Sequence, residues 1–156
     1  IVGRDENGGW HVVKTALITE AVAEAAKVFK VAKNHLFAVG DFVTIGGDLK
    51  GAADKITAID KKDPAFDLIT LSAAIGVAAM GQVLVGVKAK AAADAAVLNV
   101  DASELAITIF KVDLMVANQS CGLMVRGTVN EGAMPFPLDA GLKALMPLIR
   151  FVNKKS

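Results

Sequence analysis

Between residues 36 and 72 no strand-length run goes far before the chain is interrupted. Gly40-Asp41, Gly46-Gly47-Asp48 and the charged stretch DKKDP at 60–64 divide it into LFAV, FVTI, ADKITAID and FDLITLS. Glycine supplies backbone freedom that β-branched residues lack, and Pro64 cannot donate to a sheet ladder, so these interruptions read as turns. Short runs at this spacing are too brief for a helical core and suit strands. They predict a mainly β fold, a small barrel or sandwich of short strands.

The flanking segments are read less uniformly. Residues 1–9 are polar and glycine-bearing, so residues 1–13 are expected as a mobile N-terminal arm or linker, ahead of a single compact β-rich domain over 14–152 and a polar tail at 153–156. Trp10 is expected to cover the core. Residues 19–26 carry both helix-favouring alanines and glutamates and a following valine run; a short helix and an irregular segment both fit. Residues 27–32 read as a strand that buries Phe29 and Val31. Within residues 53–60, Ile56 and Ala58 alternate against Lys55, Thr57 and Ile59. Residues 82–87 (QVLVGV) read as a short apolar strand. The alanine tract at 88–96 is helix-prone yet too short to be stable alone. Residues 105–116 carry the strongest strand signal, with 122–129 as the expected partner across a turn at 118–120.

The last quarter has its own grammar. In GLMVRGTVNEGAMPFPLDAGLKALMPLIRFV a strand is followed by Pro135 and Pro137, which forbid a central strand, then by Asp139 as a helix cap. Leu142, Leu145 and Met146 fall on one helical face, Pro147 ends the helix, and a closing strand follows with Ile149 and Phe151 on one side and Arg150 on the other. A short C-terminal helix before the last strand is therefore part of the expected fold.

Composition narrows the partners. The apolar fraction is 54% with 14 glycines not counted in it, and mean hydropathy is +0.50. A small domain this apolar points to surface covered by another chain, hence a homo-oligomer. With 17 basic and 16 acidic residues the formal charge is +1, which offers no field for nucleic acid. Residues 68–87 are charge-free over the roughly 20 residues a spanning helix needs, but Thr70, Ser72, Gln82 and many small residues argue against a membrane span. The first residue is Ile1 rather than methionine, so either a processing step or a chosen boundary is expected to have removed what came before, and no signal-peptide pattern stands there.

No catalytic or metal-binding pattern in the sequence is complete. GGDLKG at 46–51 has P-loop glycine spacing, but Ala52 stands where the lysine belongs, and GLMVRG at 122–127 places Thr128 there. His11 and His35 form no helix-spaced pair, and with the single Cys121 they cannot complete a zinc site. Cys121 reads as a small buried residue, a Cys-His dyad being the reactive alternative. Asp60, Asp63 and Asp67 are opposed by Lys61 and Lys62, so a solvated turn fits better than calcium. No cofactor and no enzyme activity are expected. Arg126, among apolar residues, is an outward strand residue or an intersubunit ion-pair donor. Met134, Phe136 and Met146 make either a sticky surface patch or part of their own core; with Arg126 they are the candidate subunit or capsid interface.

AVGDFVTI, AIDKKDPAFDLITL and GLMVRGTVNEGAMPFP followed by LKALMPLIRFV together resemble the head-fibre and head-decoration proteins of tailed bacteriophages. Val125, Arg126, Gly127 and Val129, then Leu142 and Leu145, then Ile149 and Phe151, carry the resemblance. It implies a structural protein without catalytic residues, on the capsid surface of a virion and made in the bacterial host cytoplasm. Its partners would be itself, as a trimer rather than a dimer, and the major capsid protein. The chain shows no heptads or collagen-like repeat for a fibre stalk. In this picture residues 1–13 add a strand to a capsid sheet edge. The alternative is a non-enzymatic β domain that binds carbohydrate or peptide.

Overall fold

The computed structural model describes residues 1–47, 49–109 and 121–153. The fold is mainly β and sandwich-like. Two strands at the start, β1 (Val2–Arg4) and β2 (Trp10–Val12), form a hairpin. Six strands follow: β3 (Thr15–Leu17), β4 (Val28–Ala32), β5 (Phe42–Ile45), β6 (Ala53–Asp60), β7 (Phe66–Leu71) and β8 (Val83–Val87). They make one antiparallel sheet in the order β3-β8-β5-β6-β7-β4.

The sheet doubles over along β6. Ala53 to Lys55 pair with β5, whereas from Ile56 onward the strand pairs with β7, and the register slips between Ile56 and Ala58. An extra residue at such a bulge reverses the inward phase. Ile56 is fully buried, but Ala58 is exposed and Ile59 turns to the core, which corrects the simple alternation expected there. Val43 and Leu84 from one half meet Phe29, Val31, Ile69 and Leu71 from the other. Phe29 and Val31 are the buried pair that period-two alternation predicts. The outer strands meet at one bridge, Ile18 with Val31, so the sheet curls without closing into a barrel.

Strand β8 is buried along its whole length because it serves two cores. Leu84 points into the sandwich, while Val83 and Val85 point to a second cluster with Leu98, Leu105, Leu142, Met146 and Ile149. A continuous apolar run such as VLVGV is the signature of a strand covered on both faces.

The second layer comes from the chain's two ends. β1 lies between β2 and β9 (Leu105–Thr108), and β9 continues to β10 (Leu123–Met124), giving the order β10-β9-β1-β2. The expected free arm is thus corrected: Val2 is buried, both edges of β1 are occupied, and a Cβ on Gly3 would lie 2.6 Å from Val100 Cγ2. β11 (Gly127–Asn130) and β12 (Ile149–Val152) pair in parallel. A parallel pair needs a crossover, here a 3-10 turn at Glu131–Ala133 and the helix α1 (Ala140–Ala144). The partner expected for β9 therefore splits near Arg126, pairing first with β9 and then with β12. The far part of the 105–116 strand and the 118–120 turn lie outside the described residues, Val116 among them.

Two segments with alternative readings take one of them. Residues 19–26 are irregular, and the alanine tract at 88–96 forms no helix; Ala91 exchanges two backbone hydrogen bonds with Ala53 (3.0 and 3.1 Å) instead. Nine residues cannot offset helix nucleation when a strand end offers those bonds.

One junction fastens the crossover to the sheet. Asp139 caps α1 by accepting from Gly141 N–H at 2.7 Å, and Thr15 Oγ1 donates to the Pro137 carbonyl at 3.0 Å. Leu49, buried at a φ of 63°, packs beneath Gly141, where a Cβ would lie 2.8 Å from Leu49 Cγ and collide with the Gly47 carbonyl. A leucine tolerates the left-handed region only where packing over-determines it.

Candidate interaction surface

The outer face of β4 and β7 is apolar where solvent meets it. On β7 Asp67, Ile69 and Leu71 point inward, which leaves Phe66 and Leu68 outward. Beside them Val28 is exposed, and Lys30 lays its ammonium over the Phe66 ring, 4.1 Å from the centroid. Lys30 also pairs with Glu20 at 3.2 Å. Residues 20–26 wall one shallow hollow over this face, and the 60–64 loop walls a second; both share Phe66 and Leu68. Sequence reasoning missed this groove. Its signal lies in FDLITL, where an apolar strand carries its one charge, Asp67, in the inward phase.

At the end of the sheet where β8 begins, two loops join through Val22 and Ala78, which exchange backbone hydrogen bonds of 2.7 and 3.1 Å. Inward go Val22 and Ala78. Outward go Ala21, Ala23 and Ala25 from one loop and Val77, Ala79 and Met80 from the other. Val77 is 66% exposed and Met80 71%, on a stretch, 73–82, without any charged residue. Exposure of this kind leaves apolar area unburied that contact with another surface would remove from water, at about 25 cal/mol per Å².

The expected interface residues divide. Arg126 is exposed next to the exposed Val125. Met134 is half-buried against the second core, and Phe136 is half-buried on the segment leading to the Asp139 cap. Met146 is 4% exposed and belongs to that core, so a surface role for it is corrected: the helix turns its Leu142 face inward and carries Met146 with it. Met134 and Met146 share the second core. Trp10 is another correction, standing half exposed on β2 rather than covering the core, and Cys121 is half-buried and free.

Polar side chains at the groove's ends serve the fold. Asp60 accepts from Lys62 N–H (3.0 Å) and Asp63 from Ala65 N–H (2.8 Å), which shapes the 60–64 loop as a solvated turn. Asp54, buried on β6, accepts from Ser72 Oγ and from Lys55 N–H, and Lys90 Nζ lies 3.2 Å away. Burial opposes ionisation of Asp54, but these donors outweigh it and hold its carboxyl below the ordinary range. Among the described residues no group of three or more His, Cys, Asp or Glu side chains is placed to hold a metal ion, and no helix is long and apolar enough to cross a membrane. His11 lies 2.8 Å from Asp5 Oδ2 at the β1–β2 turn, and His35 contacts Asp67 beneath the 60–64 loop. The two histidines thus belong to separate local clusters.

No family model matches the chain, and no curated protein or solved structure matches it either.

Proposed function

We propose that this chain is a structural protein of the tailed-phage capsid surface, a head-fibre base or decoration protein. It binds the assembled shell, makes a homotrimer and contacts the major capsid protein, and it stabilises the shell or presents a fibre. The observation that carries this reading is the apolar loop tip: Val77 and Met80 stand in solvent above a row of alanines, on a loop that spends no charge on solubility. The resemblance in AVGDFVTI, GLMVRGTV and LKALMPLIRFV gives the assembly its class. Repetition around a symmetric shell turns modest apolar contacts into tight binding. The docking element is then this tip rather than the N-terminal strand, whose edges are filled.

Light scattering on the purified chain tests the assembly, with three times 16.1 kDa expected. Sedimentation with phage shells tests the docking. Val77→Asp with Met80→Asp leaves stability within about 0.5 kcal/mol, since both side chains are exposed, and abolishes trimerisation or shell binding. A monomer that stays in the supernatant overturns the proposal. The groove over Phe66 and Leu68 favours a second reading, a β domain binding an extended peptide. Leu68→Asp would then remove peptide binding while the double variant would not.

A further inference from the structure

Three segments meet at one buried histidine. His35 lies just beyond β4 with its side chain 1% exposed, and its Nδ1 accepts the Phe37 backbone N–H at 3.2 Å. The neutral ring therefore carries its proton on Nε2. That nitrogen is 3.2 Å from Asp67 Oδ2 on β7, yet it is not aligned for a hydrogen bond and stays unpartnered in that sense. Asp67, 3% exposed, gives its other oxygen to Lys33 Nζ at 2.5 Å, and the same ammonium donates to the Lys61 carbonyl at 3.0 Å. The charged groups facing the ring are thus Asp67 from β7, Lys33 from the ring's own turn and Lys61 from the β6–β7 loop. Phe37, next along, is a residue of the sandwich core.

We propose that His35 is an acid-operated latch: protonating the ring removes the acceptor that holds Phe37 N–H, releasing residues 33–39 and the 60–64 loop that walls the groove, while both sheets stay folded. A second proton would sit on Nδ1 and face the Phe37 N–H, donor against donor. Asp67 would attract the imidazolium, which favours closure. Its charge is already engaged by Lys33, however, and burial weighs against a charged ring; burial first, then Lys61 and Lys33, hold the His35 pKa below its ordinary value against the pull of Asp67. Lys33 transmits the release, because it ties the histidine turn to the Lys61 carbonyl. Asp41 bounds it, accepting from Ala38 N–H at 2.8 Å and from Lys14 Nζ at 2.6 Å. The open ring binds the proton more tightly than the closed one. Opening therefore grows as pH falls below about 6.5, by up to tenfold per pH unit, until the closed ring itself titrates.

Native-state hydrogen exchange of the whole chain from pH 7.5 to 5, corrected for intrinsic rates, tests the latch. The Phe37 amide should open more often by close to tenfold per unit below about pH 6.5, with the Leu84 amide unchanged and the His35 ring signals titrating below 6.5. A flat Phe37 profile overturns the proposal, and so does a rise shared by Phe37 and Leu84, which would mean loss of the whole fold. His35→Gln should abolish the rise, and a rise that persists in it also overturns the latch. If that variant does not fold, the ring titration of the unaltered chain decides, a pKa at or above 6.5 counting against the proposal.

Discussion

The six-stranded sandwich and the layer behind it each close on an apolar core but are not built in the same way. In the sandwich, β5 pairs with β6 and β6 with β7, each the next strand along the chain, and a side chain's direction follows from its position along the strand. In the second layer Val2 pairs with Ala106, and β11 pairs in parallel with β12 across a helix. Its strands run from 2 to 4 residues, too short to be stable without the surface they cover. That surface is β8 and its neighbour β3, whose side chains enter both cores. The difference teaches that the sandwich is self-organised and the second layer is held by attachment.

Substitutions in the two cores break the comparison hardest. Leu84→Ala and Leu142→Ala, both fully buried, should each cost about 2–5 kcal/mol. Leu84→Ala is expected to weaken amide protection in both layers, and Leu142→Ala chiefly in the second. Equal loss of protection everywhere in Leu142→Ala would show one indivisible unit. Next comes the junction. Gly141→Ala forces a Cβ against the Gly47 carbonyl and Leu49, an overpacking cost of about 3 kcal/mol, read as a lower midpoint in urea.

Gly3→Ala sharpens the placement of the N-terminus. Its Cβ would press on Val100 and Leu105 side chains, which can give a little, so about 1–2 kcal/mol is expected by thermal unfolding. A mobile arm would show no change. Smallest is Asp139→Ala, which removes the cap on α1 and should cost about 1 kcal/mol. Hydrogen exchange should locate that loss at β11 and β12.

Legibility followed the same division. The bounds of the strand at 53–60, the burial of Phe29 and Val31, the Asp139 cap and the outward Arg150 were all readable, because each depends on residues within one turn or one strand. The groove was half legible: Phe66 and Leu68 were placed on a strand, but their outward phase depends on Asp67 meeting Lys33 and His35 inside. The apolar tip was also half legible: Gly76 and Gly81 mark a loop in the sequence, but that it buries Ala78 and exposes Val77 and Met80 depends on what lies beneath it.

Sequence by itself determined the mainly β class, the turns at glycine and proline, and the strand, helix and strand order of the C-terminal unit, since backbone freedom, missing donors and side-chain periodicity act locally. Tertiary structure decided that β1 is an inner strand, that β8 is covered on both faces, that the phase reverses after Ile56, and that Met146 is core. Each of these depends on what lies opposite a residue across the sheet or between layers, and partners a hundred positions apart, such as Val2 and Ala106, leave no local trace in either segment.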